Sequence, residues 1–176
     1  LRRSKLNFIL KEDFLKFNDI FSSVGEIFFS KFFKFKNISF KKLDFSNLLN
    51  FEIINGIGDD MTLEGVLNYK FVKRLKERKV SINTVIDWWE NQAIDKGLSK
   101  GIQTFYPRTN LLGYLGYYPR QFELQLSPLK IEYDLKYTPS KIAVTGNKIK
   151  NKINIFAKKI KVITAPAFRF SYLWGL

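Results

Sequence analysis

The sequence predicts an α+β fold, and three observations support this. Residues 32–40 alternate apolar and polar side chains over much of their length, which is typical of a strand. Residues 66–79 and 82–93 place apolar side chains at helical spacing. Residues 148–161 do the same and are crowded with lysine. With 176 residues, 45% of them hydrophobic, the chain can bury a core in one large domain or two small ones.

The first predicted strand, at 32–40, places Lys34, Lys36 and Lys41 on one face. We expect this to be the solvated face of a half-buried sheet; a basic strip that faces RNA is the alternative. Asn55-Gly56 then predicts a tight turn. The Gly-x-Gly step at 56–58 lacks the strand, helix and Lys-Ser/Thr context of a phosphate loop, so no phosphate or metal site is predicted there.

Two helices are predicted next. In the first, Leu67, Phe71 and Leu75 recur every four residues, and basic side chains form a solvated face. In the second, Ser81 is the predicted N-cap and Gly97 the C-terminal stop. Its apolar positions are Ile82, Val85, Ile86, Trp89 and Ala93. Adjacent helical residues point about 100° apart, so we expect Trp89 in the core, and stacking of a base on an indole is the alternative.

The last part of the chain is predicted to form short strands and one helix. Residues 103–144 are interrupted by Pro107, Pro119 and Pro128, which favour turns or sheet edges. After Gly146 a helix is predicted, because apolar residues recur at helical spacing with lysines between them. The apolar stripe consists of Ile149, Ile153, Phe156, Ala157 and Ile160.

The charge of the chain predicts a polyanionic partner. Lys and Arg total 30 against 16 acidic residues, a formal net charge of +14, which suits nucleic acid or an anionic membrane. Every apolar run is shorter than the roughly 18 residues of a bilayer span, so no span is predicted. The chain has no Cys and no His, and we therefore predict no enzymatic activity, metal or cofactor. Its abundant Phe, Lys, Asn and Ile suggest an A/T-rich genome, such as an organellar one.

Three segments carry a resemblance to a known family. They are Gly97-Leu98-Ser99-Lys100-Gly101-Ile102, then Gly116-Tyr117-Tyr118-Pro119, and then Pro139-Ser140-Lys141-Ile142-Ala143-Val144-Thr145-Gly146 before the basic helix. In this order they resemble the family of large-subunit ribosomal protein six, over about residues 76–176. The tail at 165–176 resembles the extended tail of that family, and its exposed aromatic side chains predict burial against a partner.

The resemblance implies two tandem domains, each a small antiparallel sheet packed by a helix. These are a divergent N-terminal domain at 1–100 and an RNA-binding domain with the tail at 101–176. It further implies a structural protein of the large subunit of a mitochondrial ribosome, which contacts ribosomal RNA near the factor-binding region and neighbouring ribosomal proteins, and which is not a homo-oligomer. The predicted RNA-binding residues are Arg108, Tyr117, Arg120, Lys148, Lys150, Lys152, Lys158, Lys159, Lys161 and Arg169.

Two other functions remain open at this point. A Phe-rich basic protein also suits an accessory subunit of an organellar respiratory complex, where it would contact protein and lipid. A different RNA-binding ribosomal protein, of the small subunit, is the other alternative.

Overall fold

The computed structural model describes residues 8–56, 59–117, 126–156 and 158–168. It has the predicted α+β fold, with a small antiparallel sheet of two strands and a separate sheet of four. The first part has a short 3-10 helix (Lys11–Asp13), α1 (Phe17–Ser30), β1 (Ser39–Phe40), β2 (Leu43–Asp44), α2 (Ser46–Ile54) and α3 (Asp59–Glu77). The second has β3 (Thr84–Trp88), α4 (Ala93–Phe105), β4 (Asn110–Leu115), α5 (Lys130–Asp134), β5 (Lys141–Val144), α6 (Asn147–Phe156) and β6 (Lys161–Thr164).

The predicted strand at 32–40 forms only at its end, as β1. Residues before it bind a side chain instead of a neighbouring strand, because the Phe35 amide donates to Asn50 Oδ1 at 2.8 Å and Asn50 Nδ2 donates to the Phe35 carbonyl at 3.1 Å. Lys41 and Lys42, both at positive φ, then form the turn of the β1–β2 hairpin.

The helix predicted at 66–79 is confirmed within α3, where Leu67 and Leu75 are buried. The helix predicted at 82–93 is wrong, because residues 84–88 form β3. Its side chains alternate: Val85 is partly buried and Trp89 fully buried, whereas Ile86 is 70% exposed. Both the spacing of a strand and that of a helix fit these apolar positions, and pairing with β4 selects the strand.

Gly97 does not end a helix, since it lies within α4. A Cβ atom on Gly97 would stand 1.8 Å from the carbonyl oxygen of Gly65 in α3. The absence of a side chain therefore allows the two helices to touch backbone to backbone. The predicted domain boundary between residues 100 and 101 also falls within α4.

The larger sheet has the strand order β3-β4-β5-β6, and all its strands are parallel. The antiparallel direction predicted for this second sheet is wrong. Helices α4, α5 and α6 lie between successive strands, and a chain that returns through a helix brings its next strand in parallel to the last. Residues 103–105 belong to α4 and 130–134 to α5, so the strands predicted there are absent.

The core lies between the sheet and its helices. Trp89, Ile149, Ile153 and Ile160 are buried, as predicted, and they belong to one cluster. The side chains of Phe156 and Ala157 lie outside the described part of the chain. Helix α6 ends at Phe156, earlier than predicted, so residues 158–160 form a turn before β6. Within the described residues, no helix is both long and apolar enough to cross a lipid bilayer.

Candidate functional site

Parallel strands bring the segments that precede them to one edge of the sheet, which we call the amino edge. Lys79 precedes β3, Arg108 precedes β4, and Lys158 and Lys159 precede β6. The strands β5 and β6 begin with Lys141 and Lys161. The amino edge is therefore defined by the cations Lys79, Arg108, Lys141, Lys158, Lys159 and Lys161.

A cavity of about 730 Å³ opens at this edge, where β3 and β4 begin. Two hydrogen bonds fix its loops: the Tyr106 hydroxyl donates to the Val80 carbonyl at 2.9 Å, and the Thr109 hydroxyl donates to the Ile82 carbonyl at 2.6 Å. Cations and polar side chains line the cavity, so it can accept an anion. They are Lys76, Lys79, Arg108, Ser81, Asn83 and Thr109.

The amino edge also brings like charges together. Lys141 and Lys161 are direct partners in the register of β5 and β6, an arrangement that is unfavourable without a counterion. Lys141 Nζ donates to Asn110 Oδ1 at 3.1 Å, a neutral partner. Asp134 Oδ1 lies 3.7 Å from Lys159 Nζ, and Asp134 also pairs with Lys130. Asp134 therefore neutralises only part of the positive charge of the amino edge.

The structure brings some of the predicted RNA-binding residues together and separates others. Arg108, Lys158, Lys159 and Lys161 lie at the amino edge. Lys148, Lys150 and Lys152 lie on α6, with Lys148 in its first turn, at the opposite edge of the sheet. Tyr117 follows β4 at that opposite edge and packs against the core. Arg120 and Arg169 lie outside the described residues.

Sequence reasoning missed Lys79 and Lys141 at the amino edge. The pattern that could have indicated them is a cation at the start of successive strands. It predicts a shared edge only if those strands are parallel. With an antiparallel sheet, the same residues would be divided between two edges.

The opposite, carboxyl edge of the sheet carries a buried carboxyl group that the sequence pattern does not reveal. Asp87, near the end of β3, points its buried Oδ2 into the interior, and this oxygen has no hydrogen-bond partner among the described residues. Burial, with a smaller contribution from the charge of Asp95, raises the pKa of Asp87 to about 7. The apolar spacing of residues 82–93 predicts a helix around Asp87, and an acidic residue there indicates nothing unusual.

Asp95 holds the loop between β3 and α4 in place. Its carboxylate accepts the backbone amides of Glu90 at 2.8 Å and Gln92 at 3.0 Å, which caps the first turn of α4. Burial raises the pKa of Asp95 despite these bonds. Two partly desolvated carboxyls thus lie close to one another where the parallel strands end.

The described residues contain no group of three or more His, Cys, Asp or Glu side chains placed to hold a metal ion. No protein-family model, curated protein or solved structure matches this chain.

Proposed function

We propose that this chain binds structured RNA through the amino edge of its parallel sheet and acts as a structural component of a ribonucleoprotein particle. The observation that carries the proposal is the gathering of six cations along that edge, beside a cavity lined by polar side chains. Contacts from Lys and Arg to phosphates position a protein on folded RNA without reading its sequence.

The physical basis is counterion release. Each phosphate that a cation neutralises frees condensed counterions, which favours binding and makes it dependent on salt. The unfavourable pairing of Lys141 with Lys161 would be relieved by the same phosphates. Four strands span about 14 Å between the outer two, so the edge can meet more than one phosphate.

The identity of the ribonucleoprotein particle is a second and more specific part of the proposal. The resemblance in the C-terminal half supports the large subunit of a mitochondrial ribosome, with large-subunit RNA and neighbouring proteins as partners. The parallel sheet differs from the antiparallel one that this resemblance implies, so the amino edge, and not the resemblance, is the basis for RNA binding. Co-sedimentation with large ribosomal subunits tests the particle separately.

The test of RNA binding compares two triple variants with the same change in net charge. Arg108→Gln/Lys158→Gln/Lys161→Gln alters the amino edge, and Lys34→Gln/Lys36→Gln/Lys42→Gln alters exposed lysines elsewhere. We expect the first variant to flatten the dependence of log K on log salt by about 2, and the second to leave it near the wild-type value. Equal slopes in the two variants would show that net charge, and not the amino edge, determines binding.

A second candidate function is favoured by Asp87. Ligands of parallel α/β sheets bind beyond the carboxyl ends of the strands, and a carboxyl group with a pKa near 7 can exchange a proton with a ligand at neutral pH. We rank this function second because the described cavities do not include Asp87. Thermal-shift measurements with nucleoside phosphates test it: stabilisation of the wild type that Asp87→Asn abolishes would support this function, and no stabilisation would oppose it.

A further inference from the structure

Helix α1 has its polar face turned towards the protein. Asp19 is only 6% exposed and accepts hydrogen bonds from Arg74 Nε at 2.8 Å and Arg74 Nη2 at 2.7 Å. Lys70 Nζ lies 2.8 Å from Glu26 Oε1, and Ser23 is fully buried. Ion pairs and hydrogen bonds therefore attach α1 to α3, whereas a surface helix is usually attached through apolar contacts.

The apolar face of α1 consequently points outward. Phe17, Phe21, Val24 and Phe28 follow one another at intervals of four, three and four residues, so they form a single stripe. Phe17 is 81% exposed and Phe21 73% exposed, and Val24 and Phe28 are exposed as well. A stripe of this size is unfavourable in water and indicates an interaction surface.

The stripe continues into the segment after α1. The rings of Phe28 and Phe32 lie 5.3 Å apart. Residues 31–42 contain five lysines and no acidic residue, interleaved with further phenylalanines. We group the stripe with Phe32 and with the exposed lysines of this segment as the phenylalanine face, defined by Phe17, Phe21, Val24, Phe28, Phe32, Lys34, Lys36, Lys41 and Lys42.

We propose that the phenylalanine face lies in the headgroup region of an anionic lipid bilayer. Protein–protein interfaces are enriched in aromatic residues but depleted in lysine, so the mixture of the two does not favour a protein partner. At a membrane surface both are favourable, because aromatic rings enter the boundary of the acyl chains while lysines meet anionic headgroups.

The geometry of α1 suits a helix that lies flat on the surface. Its 14 residues extend over about 21 Å, shorter than the hydrocarbon layer, and its stripe follows the whole length. The contacts of Asp19 and Glu26 with α3 fix the rotation of the helix before it meets lipid, so little ordering is required on binding. The inference does not depend on the RNA proposal, because no residue of the amino edge belongs to the phenylalanine face.

Sedimentation of the full chain with lipid vesicles tests the inference. One set contains phosphatidylcholine with about 30% phosphatidylglycerol, and the other contains phosphatidylcholine alone. We expect the wild type to bind the anionic vesicles. Binding should be at least tenfold weaker for two triple variants, Phe17→Ser/Phe21→Ser/Phe28→Ser and Lys34→Gln/Lys36→Gln/Lys42→Gln. The matched control is Ile86→Ser/Trp88→Ser, which removes exposed apolar side chains from the sheet, and it should bind within about twofold of wild type.

A second measurement locates the contact and does not depend on how well the triple variants fold. The chain has no cysteine, so Phe21→Cys provides a unique position for an environment-sensitive fluorophore, and Ile86→Cys provides its control. Anionic vesicles should shift the emission of the label at position 21 to the blue and leave that at position 86 unchanged. Three results would each overturn the inference. They are a wild-type protein that does not bind anionic vesicles, equal emission shifts of the two labels, and self-association that requires the phenylalanine face.

Discussion

Asp87→Asn should abolish most of the loss of stability that the protein undergoes between about pH 4 and pH 7. Burial raises the pKa of Asp87 from its ordinary 3.8 to about 7. Between these two values the folded protein keeps the proton that the unfolded chain has released. The contribution of Asp87 to stability is therefore fully present below pH 3.8 and is lost as the pH rises through about 7.

The magnitude follows from the same two pKa values. They differ by about 3, and each unit corresponds to about 1.4 kcal/mol, so the loss is about 4 kcal/mol at most. That is a large part of the 5 to 15 kcal/mol, roughly, by which domains are stable. Asp19 does not obscure this effect. A hydrogen bond from Arg74 lowers the pKa of Asp19, so this carboxylate contributes stability above its unfolded pKa and loses the contribution only in more acidic solution. Asp95, whose pKa burial raises, adds to the same trend.

Urea unfolding, followed by tryptophan fluorescence at several values from about pH 4.5 to pH 7.5, measures the effect. The wild type should lose stability across this range, and Asp87→Asn should be nearly flat apart from the contribution of Asp95. Asp134→Asn is the control, because Lys130 lowers the pKa of Asp134 and its titration lies below the range. An Asp87→Asn variant with the wild-type slope, or a wild type that gains stability with pH, would refute the assignment of a buried, proton-binding carboxyl to β3.

Two further predictions concern the packing of α3. Gly97→Ala should lower the free energy of unfolding by about 2 kcal/mol or more, because the new methyl group meets the Gly65 carbonyl. The control is Gly25→Ala, which should stabilise the protein slightly because a Cβ atom there has open space. Thermal melts in which both variants shift alike would disprove this. Arg74→Met should lower the free energy of unfolding in urea by about 3 kcal/mol, because it leaves Asp19 charged and buried without its partner. Adding Asp19→Asn should restore part of that loss. An Arg74→Met variant with wild-type stability would mean that the pair is not buried.

The elements that sequence could predict are those whose pattern is local. Leu67, Phe71 and Leu75 recur every four residues within a segment that is too long for a typical strand, which favours a helix, and α3 forms there. Val85, Ile86 and Trp89 fit both a helix and a strand, and the choice between them was made by β4, which lies more than twenty residues further along the chain. Gly97 has the same ambiguity, because a glycine that ends a helix and one that allows two helices to touch look alike in sequence.

The candidate site was predictable only in part, for a related reason. The lysines at 158–161 form a visible cluster in the sequence. Their grouping with Arg108 depends on the direction of the strands, which helical crossovers set and which the spacing of apolar residues does not reveal. Asp87 was missed because its burial depends on the alternation of β3, and its pKa follows from that burial.

The orientation of α1 shows a deeper limit. An amphipathic pattern defines two faces of a helix but not which of them is buried, and the usual assumption buries the apolar one. In this protein α3 determines which face is buried, although the sequence predicts that the basic side chains of α3 face solvent. Lys70 and Arg74 instead bind Glu26 and Asp19, so the charged face of α1 is covered and its phenylalanines remain outside. If these ion pairs determine the orientation, weakening them with Arg74→Met should also reduce binding to anionic vesicles, although no lipid-facing residue has changed.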